Sequence, residues 1–255
     1  MRIDVYLAEC GLAHSRTEAK SLIADGLVFV GDLPVTKPSL EVDGHEGDVR
    51  VVSAEPRFVS RGGIKLAGAL SSFGINVKGK RCLDIGASSG GFTDCLLRAG
   101  AAHVIAVDSG SGQLAEKLRA DDRVSVREGY NARYMKRDDF EYVPELAVMD
   151  VSFISVTHIL PSLFSVLDDE AELVCLIKPQ FEVGRAYIGK GGIVKDDKAR
   201  ARAVDGVVDF ARSVGFNPKG IITSPIKGGD GNIEFLAYFT KEMTDEKGSH
   251  NTKCE

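Results

Sequence analysis

Residues 81–97 read Arg-Cys-Leu-Asp-Ile-Gly-Ala-Ser-Ser-Gly-Gly-Phe-Thr-Asp-Cys-Leu-Leu, and this stretch decides the fold. It passes from a short apolar run of strand character, through three glycines, into a segment of helical periodicity. In an open α/β sheet such a turn is where nucleotides bind. Downstream, apolar runs bounded by turn residues predict strands near 81–85, 102–107, 124–127, 145–150, 171–177, 219–223 and 233–239. Helices are expected near 91–99, 113–119, 156–167 and 196–214, and a further one over 62–73 ahead of the first strand. This alternation predicts a doubly wound, Rossmann-like α/β sheet. Only residues 224–232 separate the last two strands, too few for a helical crossover, so the last strand should run antiparallel.

Upstream, a smaller α+β module is expected over residues 1–52. Ile3, Leu7 and Leu12 mark one helical face, and Ser15-Arg16-Thr17-Glu18 is a capping box opening a second helix that Gly26 ends. Leu27 to Val30, a Gly31-Asp32 turn and Val35 read as a hairpin, and a strand over 48–52 closes the module. Residues 53–60, with Pro56, read as a linker to a domain over 61–242. The polar residues 243–255 read as a disordered tail.

With 44% hydrophobic and 27% charged residues, the 255-residue chain has the composition of an ordinary globular protein. Its apolar runs are too short to cross a bilayer, and Asp4 interrupts the place where a secretory signal would be apolar. Cytoplasmic residence without membrane association is therefore expected. The five cysteines are widely spaced and form no C-x-x-C pair, so neither a disulfide framework nor a metal site is expected. The formal charge of −5 is unusual for a nucleic-acid binder, but Val183–Arg202 holds six basic residues against two acids. Within that segment the glycine-rich run 184–192, carrying Arg185 and Lys190, is expected to form a mobile flap that supplies phosphate contacts. Few aromatic residues stand there, so little base stacking is expected.

Gly86, Gly90 and Gly91 are spaced G-x-x-x-G-G, wider than the G-x-G-x-x-G of dinucleotide sites, and no P-loop is present. The wider turn suits S-adenosylmethionine (SAM). Contacts are expected from Asp84, Gly86, Ala87, Ser88, Gly90, Gly91 and Phe92, with Asp84 countering cationic charge. Asp108, ending the next strand, can accept the ribose hydroxyls, and Asn131 lies where adenine would sit. NAD, or a tight turn holding no ligand, remains an alternative at this point.

Methyl transfer is an in-line displacement, and the acceptor type leaves its mark on the site. No cysteine stands in Asp150-Val151-Ser152-Phe153 or after Lys178, as pyrimidine C5 methylation would need, and that turn is not the N/D-P-P-Y of amine methylation. A hydroxyl acceptor remains, and it needs a base or a cation beside it. Lys178 ends the apolar strand of Leu173-Val174-Cys175-Leu176-Ile177, on the active edge of the sheet. Asp150 ends a neighbouring strand, Glu234 lies in the last strand motif, and Lys65 is on the helix before the sheet. Taken singly, Lys65 also reads as a snorkelling surface lysine, Glu234 as an edge charge and Asp150 as a helix cap.

In order along the chain stand S-R-G-G-I-K-L, L-D-I-G-A-S-S-G-G-F-T-D, M-D-V-S-F-I-S, I-K-P-Q-F-E and D-G-N-I-E-F. This series resembles the FtsJ-like ribose 2'-O-methyltransferases, and within them the TlyA-type bacterial group long labelled hemolysin. Residues 2–30 also resemble the alpha-L RNA-binding module of ribosomal and tRNA-binding proteins. The resemblance implies a Lys65-Asp150-Lys178-Glu234 catalytic tetrad with Lys178 central, and SAM as methyl donor. It also implies a cytidine ribose in ribosomal RNA, within a ribosomal subunit, as substrate. RNA contacts would come from Arg16, Lys20 and Lys37 in the first module and from Arg61, Arg185 and Lys190 in the second. Residues 1–60 carry 6 basic against 10 acidic residues, which weighs against tight RNA binding by the first module alone. The alternatives are a membrane-active hemolysin and a SAM-binding RNA or ribosome-assembly factor without turnover.

Overall fold

The computed structural model describes residues 1–13, 15–24, 26–43, 46–51 and 58–241. The chain divides into two compact units, Met1–Arg57 and Phe58–Glu255. Residues 53–57 of the expected linker and the whole of the expected tail lie outside the described residues.

In the first unit, helices α1 (Ile3–Glu9) and α2 (Arg16–Ala24) precede strands β1 (Val28–Val30), β2 (Leu33–Pro34) and β3 (Val49–Val51). The strands form one antiparallel sheet in the order β2-β1-β3. Ser15 Oγ accepts the Glu18 amide at 3.2 Å, as the capping box requires. Ile3, Leu7, Ala19, Ile23 and Val28 make the core. Leu12 does not join them: α1 stops at Glu9, and the leucine, three residues on, is exposed. In the first turn of α1 Asp4 is fully buried, hydrogen-bonded by Arg2 Nε and by Arg16 Nη2, each at 3.0 Å. Arg2, then Arg16, hold its carboxyl down to about 2 against the cost of burial. Arg16, expected to contact RNA, is thus tied to a buried acid, whereas Lys20 and Lys37 are exposed.

The second unit opens with α3 (Gly62–Phe73), followed by β4 (Arg81–Ile85), α4 (Gly91–Arg98), β5 (His103–Val107), α5 (Glu116–Arg119), β6 (Val124–Arg127) and β7 (Leu146–Met149). It continues with α6 (Leu160–Val166), β8 (Glu172–Ile177), α7 (Pro179–Glu182), α8 (Asp197–Val214), β9 (Phe216–Thr223) and β10 (Phe235–Lys241). The seven strands are ordered β6-β5-β4-β7-β8-β10-β9. β6, β5, β4, β7 and β8 pair parallel, and β10 runs antiparallel to both its neighbours, β8 and β9. Helices cover both faces, and a core lies on each side of the sheet.

Two expected helices are shorter than their apolar patterns. Val156–His158 is a 3-10 turn before α6, and only Glu116–Arg119 of the span 113–119 is helical. The expected last strand, 233–239, starts at Phe235, leaving Glu234 at its entry. Because β10 is reversed, its first residue pairs with Ile177, the last of β8. Glu234 is thereby brought to the edge where the parallel strands end. Among the described residues, no helix is long and apolar enough to cross a membrane.

Candidate active site

Sheet order reverses beside β4, which has β5 on one flank and β7 on the other. The chain after β4 therefore faces a crevice between diverging connections. Gly86, at φ +82°, is the pivot: a Cβ there would stand 2.3 Å from the Asp150 carbonyl oxygen. At Gly90, φ +95°, a Cβ would meet Leu118 at 2.2 Å, so this glycine lets the turn press on α5 rather than face the crevice. Ser88 is left-handed as well, at φ +47°. Its amide donates to Asp108 Oδ2 at 2.8 Å and its hydroxyl to Gln113 Oε1 at 3.0 Å, bonds that offset the strain.

Two cavities of about 490 and 480 Å³ flank this turn and share Gly86, Ser88, Asp150 and Ser152 in their walls. The second holds Asp108, Gln113, Tyr130 and Asn131, with apolar Ile154 and Ile159. Asp108 also accepts the Gly110 amide, at 2.7 Å. Asn131 caps a short turn, accepting the Arg133 amide at 3.1 Å. An acid, an amide, an aromatic ring and two aliphatic side chains suit a nucleoside.

The first cavity holds Ser60, Arg61, Ala87, Gly91, Phe92 and Lys227 together with Lys65, Asp150 and Lys178. Lys65 Nζ lies 2.6 Å from Glu234 Oε2, and Lys178 Nζ lies 2.6 Å from Asp150 Oδ1. Lys65, Lys178 and Glu234 are each buried, at 8%, 9% and 3% exposure, so these pairs are not loose surface contacts. Glu234 does not line the cavity; it sits behind Lys65, packed so closely that a Cβ at Gly228 would stand 2.4 Å from its Oε1. Lys178 also donates to Ser152 Oγ at 2.8 Å. Pro179 follows it at the first position of α7, ending the strand so that the lysine stays extended.

Asp84 differs from its expected setting. It is fully buried beneath the glycine turn and lines neither cavity. Thr93 donates its hydroxyl to Oδ2 at 2.6 Å, while Oδ1 has no hydrogen-bond partner among the described residues. Burial first, then the Asp150 and Asp108 charges, push its carboxyl up to about 7.

The basic residues are partly committed within the protein. Arg61 donates to the Lys227 carbonyl at 3.1 Å, and Arg200 is held by the Val194 carbonyl and Asp197, which removes it from the expected basic patch. Arg185 and Lys190 are exposed on two short turns. The segment expected as a flap is anchored by Asn232, which accepts the Val194 amide at 2.9 Å and donates to the Gly192 carbonyl at 3.0 Å.

Sequence reasoning overlooked Ser152 and Phe153, reading that turn only for the chemistries it excludes. Phe153 is 92% exposed in the second cavity's wall, at φ +64°, its ring centroid 5.3 Å from that of Phe181. Tyr187, half-exposed under Arg202, is a second aromatic where little stacking was expected. Single-chain periodicity carries no signal for either, since the exposure of one aromatic side chain in a turn is a tertiary property.

A glycine turn at the switch point of a seven-stranded sheet with one reversed strand, opening beside two buried lysines each paired with a carboxylate, defines a Rossmann-like methyltransferase. The model of the FtsJ-like methyltransferases matches residues 58–241, and that of the S4 domain matches residues 1–49. The chain belongs to the FtsJ-like methyltransferase family. It is 45% identical over 244 residues to the Mycobacterium tuberculosis 16S/23S rRNA (cytidine-2'-O)-methyltransferase TlyA, covering 96% of this chain and 91% of the relative. A Streptococcus thermophilus structure under the hemolysin label superposes with TM-score 0.75 at 44% identity, covering 95% of this chain and 88% of that one. A Listeria monocytogenes structure described as a SAM-dependent methyltransferase shares the fold at 16% identity and TM-score 0.52, covering 70% of this chain and all of the other.

Proposed function

We propose that this enzyme methylates the 2'-hydroxyl of a cytidine ribose in ribosomal RNA, with SAM as methyl donor and Lys178 taking the hydroxyl proton. The observation that carries the reading is the Lys178–Asp150 pair, a buried lysine against a half-buried carboxylate in the wall of a cavity that shares Gly86, Ser88, Asp150 and Ser152 with the second one. SAM, when bound, supplies a methyl carbon made electrophilic by a positively charged sulfur. The residues fit it. Asp108 offers carboxylate oxygens to ribose hydroxyls, the apolar walls at Ile154 and Ile159 receive a base, and Ser60 lines the adjoining cavity.

A ribose hydroxyl is a poor nucleophile until its proton leaves. In this reading the unprotonated Lys178 amine accepts that proton as the hydroxyl oxygen attacks, and Asp150, 2.6 Å away, stabilises the resulting ammonium. Lys65, ion-paired from behind with Glu234, presents an ammonium to the developing alkoxide. Phe153 offers an exposed aromatic face on which an unstacked base can rest. Residues 1–52 serve as an RNA-binding module and residues 61–242 as the catalytic domain. Lys20, Lys37, Arg61, Arg185 and Lys190 supply phosphate contacts. The identity with a relative named for cytidine-2'-O methylation of 16S and 23S rRNA supports the substrate.

The test is to incubate unmodified ribosomal subunits with isotopically labelled SAM and map ribose methylation. Wild type should label a cytidine. Lys178→Ala should lose labelling by a factor on the order of a thousand while binding SAM nearly as well. An active Lys178→Ala enzyme, or label on a base, would overturn the reading.

A further inference from the structure

For a lysine to accept a proton, its nitrogen lone pair must face the donor, and rotation about the Cε–Nζ bond decides where that lone pair points. Charge alone does not set this angle, because Coulomb attraction is not directional. Asp150 Oδ1 lies 2.6 Å from the Lys178 amine yet takes no aligned hydrogen bond from it. Ser152 Oγ does, at 2.8 Å.

Ser152 is held from both sides. Two residues before it, the Asp150 amide donates to the Ile85 carbonyl at 2.9 Å, with Gly86 packed against the Asp150 carbonyl. Immediately after it comes Phe153, at φ +64° and with its ring against Phe181. Phe181 is itself fastened to Lys178, its amide donating to the Lys178 carbonyl at 2.9 Å. The serine and the lysine are therefore two ends of one small closed frame. Ser152 is exposed, lines both cavities, and stands where they adjoin.

We propose that Ser152 is the positioning residue that aims the Lys178 amine: by accepting one N–H, it turns the lone pair of the unprotonated nitrogen toward the acceptor hydroxyl in the first cavity. This rests on Lys178 being the proton acceptor. The proton passes from the hydroxyl to Lys178 Nζ and from there to solvent, so Ser152 gains and loses nothing in the cycle. Its hydroxyl hydrogen is left to point away from the amine.

The experiment uses the full chain with unmodified ribosomal subunits and labelled SAM, measuring kcat and the KM for SAM separately. Ser152→Ala should lower kcat about ten- to a hundred-fold, the effect of a misdirected reacting group, with the SAM KM within about twofold of wild type. Ser152→Thr, which keeps an acceptor oxygen, should recover most of that loss. Being exposed, the position should tolerate both changes without loss of thermal stability. If Ser152→Ala turns over normally while Lys178→Ala does not, the positioning role is wrong and the base assignment stands. If Lys178→Ala is also active, the base assignment itself fails. A loss in Ser152→Ala confined to the SAM KM, or a threonine no better than alanine, would likewise overturn the proposal.

Discussion

Gly86→Ala probes the joint between fold and site most directly. The added Cβ would lie 2.3 Å from the Asp150 carbonyl oxygen, 2.9 Å from its carbonyl carbon and 3.2 Å from Val151 Cγ1. Ordinary contact needs roughly 1 Å more, and the nearest atoms are backbone, so the glycine turn and the end of β7 must part. Holding alanine at φ +82° costs about 1 kcal/mol, and the overpacking about 1–3 kcal/mol more. At about 2–4 °C per kcal/mol for a domain of this size, the melting temperature should fall by roughly 5–15 °C. The same displacement moves Asp150, and with it the frame around Lys178, so kcat should drop about a hundred-fold in the surviving folded protein. Gly79→Ala is the matched control: φ there is +78°, but nothing lies within 4 Å, so only the conformational cost of about 1 kcal/mol should appear. Differential scanning fluorimetry and the labelled-SAM assay read both effects. If Gly86→Ala melts and turns over like Gly79→Ala, the close approach of the turn to Asp150 is not what the site depends on.

The remaining predictions concern buried polar groups. Asp84, raised from 3.8 to about 7, keeps a proton in the native state that the unfolded chain releases. Its contribution therefore falls as pH rises from about 4 to about 7, by on the order of 4 kcal/mol in full. Asp84→Asn has no charge to bury, so its melting temperature should gain on wild type between pH 5 and pH 8, and parallel profiles would contradict the assignment. Asn232→Ala strands the Val194 amide and the Gly192 carbonyl, at a cost of about 2–4 kcal/mol. Hydrogen exchange should accelerate in residues 189–194 of that variant, and unchanged protection there would show that the anchor lies elsewhere.

Much of the catalytic unit was readable from local pattern. The strand–glycine–helix run at 81–97 and the alternation after it predict the sheet because burial on both faces demands apolar runs of that length. The reversal of β10 followed from a loop too short to cross over. Boundaries were less legible where packing overrides pattern: Leu12 carries the period of α1 but lies beyond its end. Asp84, expected to face a ligand, faces inward instead, because its place within β4 puts it under the turn rather than on it.

The tetrad shows where local reading stops. Lys65 and Glu234 are 169 residues apart, and no periodicity relates them; the order of motifs pointed to four residues, while the Lys65–Glu234 pair arises only when β10 enters beside the end of β8, and the Lys178–Asp150 pair only when β7 and β8 lie side by side. The amino-acid order by itself determined the sheet, the glycine turn after β4 and the residue types available for chemistry, because these follow from burial periodicity and backbone stereochemistry over a few residues. Tertiary structure alone decided which carboxylate serves which lysine, that Arg16 and Arg200 are tied within the protein, and that Ser152 meets Lys178. Such contacts depend on distances of a few ångströms between segments far apart in the chain, and chain closure sets those distances where local propensity does not.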